Sequence, residues 1–212
     1  MGIWWVNMES PDRLRSFDPF RLADLEHRMW VAYYLRRRLR LLMASVRLLR
    51  LGFGTDLPRI LQGAWLMLRA VQLWAPFPDN DPDGAQARMH ELYALVRLRF
   101  GGPADPAQAA SLEIDWWRAH RKRQYARHPA EMGDELVESV TRLYSYLFGR
   151  AEAMVRPAAA HRVVAMDLSD QWVREGCPPD SPLLPLEHAA LVRTYTALLA
   201  AVQHEERPSG LS

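Results

Sequence analysis

The sequence predicts an all-α, single-domain protein built as an antiparallel bundle of about seven helices. Three observations carry that prediction. Apolar residues recur at spacings of three and four, and no stretch alternates at two. Asp-Pro pairs that open helices and glycines that close them recur along the chain. The connections between these marks are mostly short, as antiparallel neighbours need. At 212 residues, 49% hydrophobic and 25% charged, the chain can bury a full core and has the composition of an ordinary folded domain.

Each element follows from its punctuation. Asp18-Pro19 opens a long first helix that Gly52 closes. Asp56 opens a second that ends at Pro76, and Asp81-Pro82 opens a third that Gly101-Gly102 ends. Asp105-Pro106 opens a fourth, running to about Arg127, and Asp134 caps a fifth that stops at Gly149. Pro157 begins a sixth ending at Gly176, and Pro182 or Pro185 begins a seventh ending near Gln203. Leu136, Val140, Leu143 and Leu147 mark the buried stripe of the fifth helix, and Leu184, Leu191, Leu198 and Val202 that of the seventh. The bundle therefore spans 18–204, between an N-terminal arm over 1–17 and a short tail over 205–212; Met8 is an alternative start.

Composition narrows the function. The net charge is +2, and the basic residues are arginines apart from Lys122. Cys177 is the single cysteine, so no internal disulfide forms and a reducing compartment, the cytoplasm, is expected. The most apolar stretch, Ile60 to Phe77, is broken by Gln62, Arg69 and Gln72, which reads as a buried helix and not a membrane span. There is no Walker loop, no G-x-G-x-x-G and no G-x-S-x-G, and no nucleic-acid module accompanies the arginines. Oligomeric state is open, a homodimer included.

The first and fourth helices echo each other 87 residues apart. Asp18, Pro19, Ala23, Leu25, Glu26, Trp30 and Ala32 match Asp105, Pro106, Ala110, Leu112, Glu113, Trp117 and Ala119. If the echo is structural, the two helices occupy equivalent places in a pseudo-twofold bundle, with Glu26 and Glu113 facing across the centre.

That places the candidate site. Glu113, Trp116, Trp117 and His120 share one face of the fourth helix; Glu26, Met29, Trp30 and Tyr33 share one face of the first. An aromatic-lined interior pocket of Trp30, Tyr33, Trp116 and Trp117 is the first expectation, holding a hydrophobic small molecule or a partner. The second is a metal, because carboxylates among large apolar groups must find a counter-charge, stay protonated or bind a cation. Glu26, Glu113, His120 and His161 are then the candidate ligands, with iron or manganese as the ion. The spacing Glu113-x6-His120 resembles one ligand pair of the haem-oxygenase-like di-iron oxidases, and that resemblance implies dioxygen activation. It covers one helix, and His161, Asp167 and Asp170 stand out of register with the family's later ligand helix, so the ligand set is incomplete.

Further patterns have plainer readings beside them. Asp79, Asp81, Asp83 and Gly84 match the first half of a calcium loop, but position 12 is His90, so an acidic capping turn is favoured over calcium. Arg36, Arg40, Arg47 and Arg50 form a stripe opposite Leu35, Leu39, Leu42, Val46 and Leu49, suited to an anionic membrane or polyanion, or simply to water. Arg118, Arg121, Lys122, Arg123 and Arg127 form a second basic group near a helix C-terminus. His161 and His188 lie on apolar helix faces, where hydrogen-bonded core histidines are commonest.

Overall fold

The computed structural model describes residues 17–53, 56–100, 104–126 and 134–204. Among these there are eight helices and no strand: α1 (Pro19–Tyr34), α2 (Arg38–Phe53), α3 (Leu57–Trp74), α4 (Pro82–Phe100), α5 (Pro106–Tyr125), α6 (Glu135–Phe148), α7 (Glu152–Arg174) and α8 (Leu183–Gln203). Each helix packs antiparallel against its neighbours in sequence, and α8 returns to pack on α1, which closes the eight into a ring. The arm and the tail lie outside the described residues except for Phe17. That ring is buried, edge-on to Tyr195 at 6.3 Å between centroids.

The predicted capping residues act as their chemistry requires. The Asp18 carboxylate accepts from the amides of Phe20 and Arg21, and Asp105 from that of Ala107, satisfying donors that a helix start leaves open. Asp81 is also a cap: its Oδ1 accepts from the Gly84 amide at 2.8 Å, and a Cβ on Gly84 would sit 2.2 Å from the same carboxylate. The glycine of the calcium-like segment is thus explained by close approach of a capping side chain. Gly149 ends α6 at φ 59°, a left-handed conformation that a side chain disfavours.

Two boundaries differ from the sequence prediction. The predicted first helix is two helices, broken at Leu35–Arg37, with Arg36 at φ 52°. This residue ends α1 by donating a hydrogen bond from its backbone N–H to the Tyr33 carbonyl, and packing of α2 back against α1 overrides the helical preference of Leu-Arg-Arg-Arg. The helix predicted from Pro157 begins five residues earlier, at Glu152, and carries the proline within it.

The break also rearranges the arginine stripe. Arg36 lies outside either helix, while Arg40, Arg47 and Arg50 are exposed on α2. The apolar side opposite is not buried as expected: Leu39 is 78% exposed and Leu42 44%. Leu49 lies outside the residues whose side chains are described.

The echo between α1 and α5 has a counterpart in space. Each sits between two ring neighbours, α8 and α2 for α1, α4 and α6 for α5. A tyrosine of the preceding ring neighbour donates to each echoed glutamate, Tyr195 to Glu26 and Tyr93 to Glu113.

Candidate functional site

Glu26 and Glu113 are both fully buried, and different partners hold them. Arg162 of α7 donates to both Glu26 oxygens, and the Tyr195 hydroxyl donates to one of them. The Arg162 guanidinium also lies 5.5 Å from the Trp30 ring centroid. Glu113 receives no such pair. It accepts from Tyr93 Oη at 2.9 Å and from Trp117 Nε1 at 3.1 Å. Burial pushes its carboxyl above the ordinary 4.5, and the hydrogen bond from Tyr93 pulls the other way.

Three of the four residues on the metal expectation, Glu26, Glu113 and His120, are therefore committed to other partners. His120 Nε2 is 3.0 Å from Asp170 Oδ2, and His161 is half-buried beside Arg162 on α7. Among the described residues no group of three or more His, Cys, Asp or Glu side chains is placed to hold a metal ion. Iron and manganese thus find no converging donor set, and neither does calcium at Asp79, Asp81 and Asp83.

The aromatic residues do converge. Where α1, α3 and α5 approach their C-termini, Tyr33, Tyr34, Trp74, Trp116, Trp117 and Tyr125 enclose a cavity of about 200 Å³. Trp30 borders a neighbouring chamber of about 20 Å³, which shares Tyr34, Trp116 and His120 with the larger space. Three of the four predicted pocket residues thus line one cavity, and the fourth is a wall away.

The polar side chains that α5 gives to that cavity are His120, Arg121 and Gln124, and α7 holds two of them from behind. Asp170, nearly buried, accepts from Gln124 at 2.7 Å and is bonded to His120. Arg123 grips Asp167 through two nitrogens at 2.8 and 2.9 Å. Arg121 is set differently. Its guanidinium stacks over Trp74 at 4.4 Å and near Phe77 at 5.3 Å, and it donates to the Trp74 carbonyl, the last of α3. Its other terminal nitrogen is closed off from solvent and meets no hydrogen-bond acceptor. An orphaned donor of this kind costs roughly 1–3 kcal/mol.

No family model, no curated protein and no solved structure matches the chain. The site is therefore read from its own geometry.

Two of its charged residues escape a reading of the sequence. Arg162 falls at helical spacing with Val155, Ala158, Met166 and Ser169, all buried, and that period was the available signal. Glu187 of α8 is buried, 2.9 Å from His27 Nδ1, and burial pushes its carboxyl up against the pull of that histidine. His188 packs edge-on to the His27 ring at 5.5 Å. Of the second basic group, Arg118 and Lys122 pair with Asp115 and Glu135. Arg127 lies outside the described residues.

Proposed function

We propose that the protein binds a small planar molecule bearing an acidic group in the aromatic cavity between α1, α3 and α5. The observation that carries this reading is the Arg121 guanidinium. It is oriented by Trp74, lines the cavity, and keeps one nitrogen without a protein acceptor. A carboxylate would complete it, because a charge-assisted bond to arginine is stronger than a neutral one. The aromatic walls supply stacking for the remainder of the ligand. At about 200 Å³ the space is smaller than the roughly 300–1,000 Å³ of drug-sized sites, which favours a single-ring ligand.

The test is titration of single-ring aromatic carboxylates and their uncharged amides, read by tryptophan fluorescence and calorimetry. The acids are expected to bind and the amides to bind at least about tenfold more weakly, a difference of about 1.4 kcal/mol. Arg121→Gln is expected to abolish the preference, and Arg121→Lys to restore little of it, because an ammonium cannot stack as guanidinium does. Acids and amides binding alike would remove this reading. Iron or manganese at two ions per chain in the purified protein would instead favour Glu26, Glu113, His120 and His161 as ligands.

A second reading rests on a separate observation. Residues 27–78 hold nine arginines against the single Asp56, so that segment carries +8 and the remainder −6. On it Leu39, Met43, Leu57, Leu61 and Trp65 are each at least half exposed. We infer an α2–α3 face that rests on anionic membrane surfaces, arginines on headgroups and apolar tips among acyl chains. Sedimentation with anionic vesicles should exceed that with neutral ones and fall with salt, and Arg40→Glu with Arg47→Glu should remove it. Equal sedimentation with both vesicle types, or a dimer in solution that Trp65→Ser dissolves, would overturn it.

A further inference from the structure

A groove of about 510 Å³ runs between α1, α2 and α3, next to the aromatic cavity, with which it shares Tyr33, Val71 and Ala75. Its volume falls within the roughly 300–1,000 Å³ of small-molecule sites. On α3 the wall is one helical stripe, Ala64, Met67, Leu68, Val71, Gln72 and Ala75. From Ala64 to Ala75 that stripe runs about 16 Å at 1.5 Å per residue. Small side chains on each helix, Ala32, Ser45 and Ala64, leave the room. Leu39 and Leu42 also line the groove, 78% and 44% exposed, so none of the described residues covers it there.

The two ends of the groove differ. Because the three helices run antiparallel, Tyr33, Arg36 and Gln72 fall at one end and Met29, Ser45 and Ala64 at the other. The first end is rich in donors: a guanidinium, a phenol hydroxyl, and an amide whose oxygen already accepts from Arg69 at 2.9 Å. No Asp or Glu lines the groove, and no carboxylate among the described residues pairs with Arg36. At the far end the Ser45 hydroxyl donates to the Leu41 carbonyl at 2.9 Å, which leaves that end apolar in effect. The whole groove lies within the segment 27–78 that carries +8.

Arg36 adds a second, independent sign. Its φ of 52° is a conformation that glycine adopts more easily, and non-glycine residues held there concentrate at functional sites. A cation kept at that cost belongs where its charge is used. We propose that the groove binds one long-chain fatty acid, its carboxylate on Arg36 and its alkyl chain laid along α3 toward Ser45. An uncharged chain leaves Arg36 without a partner, and a compact anion leaves the apolar shaft unfilled. A single-chain carboxylate satisfies both ends.

Calorimetry of the full chain with dodecanoate, below its micelle concentration, tests the proposal. One molecule per chain is expected, with dodecanol, the same chain without the charge, binding at least about tenfold more weakly. Hexanoate, too short to fill the shaft, is expected to bind more weakly than dodecanoate. Arg36→Gly relieves the backbone, so its Tm is expected to hold or rise while acid and alcohol come to bind alike. Ser45→Phe closes the far end and is expected to shift the preference toward octanoate; if that variant does not fold, Arg36→Gly decides alone. No binding, or dodecanoate and dodecanol binding the unaltered chain alike, would overturn the proposal. So would binding that Arg121→Gln abolishes and Arg36→Gly spares, which assigns the acid to the aromatic cavity. A dimer of the free protein that Leu39→Ser dissolves and dodecanoate does not would overturn it too, by giving the groove to a second copy. Neither vesicles nor single-ring acids enter this experiment, so failure of either reading above leaves it standing.

Discussion

Arg162 of α7 holds Glu26 of α1 by both carboxylate oxygens, at 3.0 and 2.5 Å, with both side chains at most 1% exposed. The two residues lie 136 positions apart, so this bond ties the last quarter of the chain to the first helix. Removing one member of such a pair leaves a bare charge in the core. Arg162→Met is therefore expected to cost about 3–5 kcal/mol in denaturant unfolding, and adding Glu26→Met to recover most of it. A double variant no more stable than the single would show that the pair contributes beyond mutual neutralisation.

Glu113 gives a pH dependence of defined sign. Its carboxyl is raised above the ordinary 4.5 by burial, so the folded protein retains a proton that the unfolded chain has released. Stability is highest below that value and falls as pH rises through the native pKa. Glu113→Gln, which keeps the shape and the carbonyl acceptor, is expected to raise Tm at pH 7 and to make no difference at pH 4. Thermal scans of both proteins across pH 4 to 8 check this.

Asp170 holds two side chains that line the larger cavity, His120 and Gln124. Asp170→Ala orphans two side chains at once. The expected loss is about 2–4 kcal/mol, with weaker binding of any ligand that the larger cavity takes, measured by calorimetry alongside unfolding.

Arg36 occupies the left-handed region, where a side chain costs roughly 1 kcal/mol relative to glycine. Arg36→Gly is expected to raise stability by about 0.5–1 kcal/mol, whereas Arg36→Val lowers it, because a β-branched residue fits that conformation least. Urea midpoints of the two variants should move in opposite directions.

The legible parts of this protein are those set by local chemistry. Asp18, Asp105 and Gly149 act at helix ends through neighbours within a few residues, so their roles could be read from order alone. Trp116, Trp117 and Tyr33 were found because helical spacing puts them on inward faces. The break at Leu35–Arg37 was not visible, because it has no glycine or proline and is imposed by packing between helices. Arg162 was hidden by abundance: among 26 arginines, one that is buried looks like those that are not until its period is followed. Leu39 shows the opposite failure, an apolar residue in the right register that none of the described residues covers.

The closure of α8 onto α1 means that chain order and spatial order part company. Every helix has two flanking neighbours, including the first and last, so the molecule is indifferent to where the polypeptide is cut. A permuted chain that starts at α5, runs through α8, and continues by a short linker into α1 through α4 preserves all eight adjacencies. It should also leave the Arg162 grip on Glu26 intact, now with far fewer residues between them.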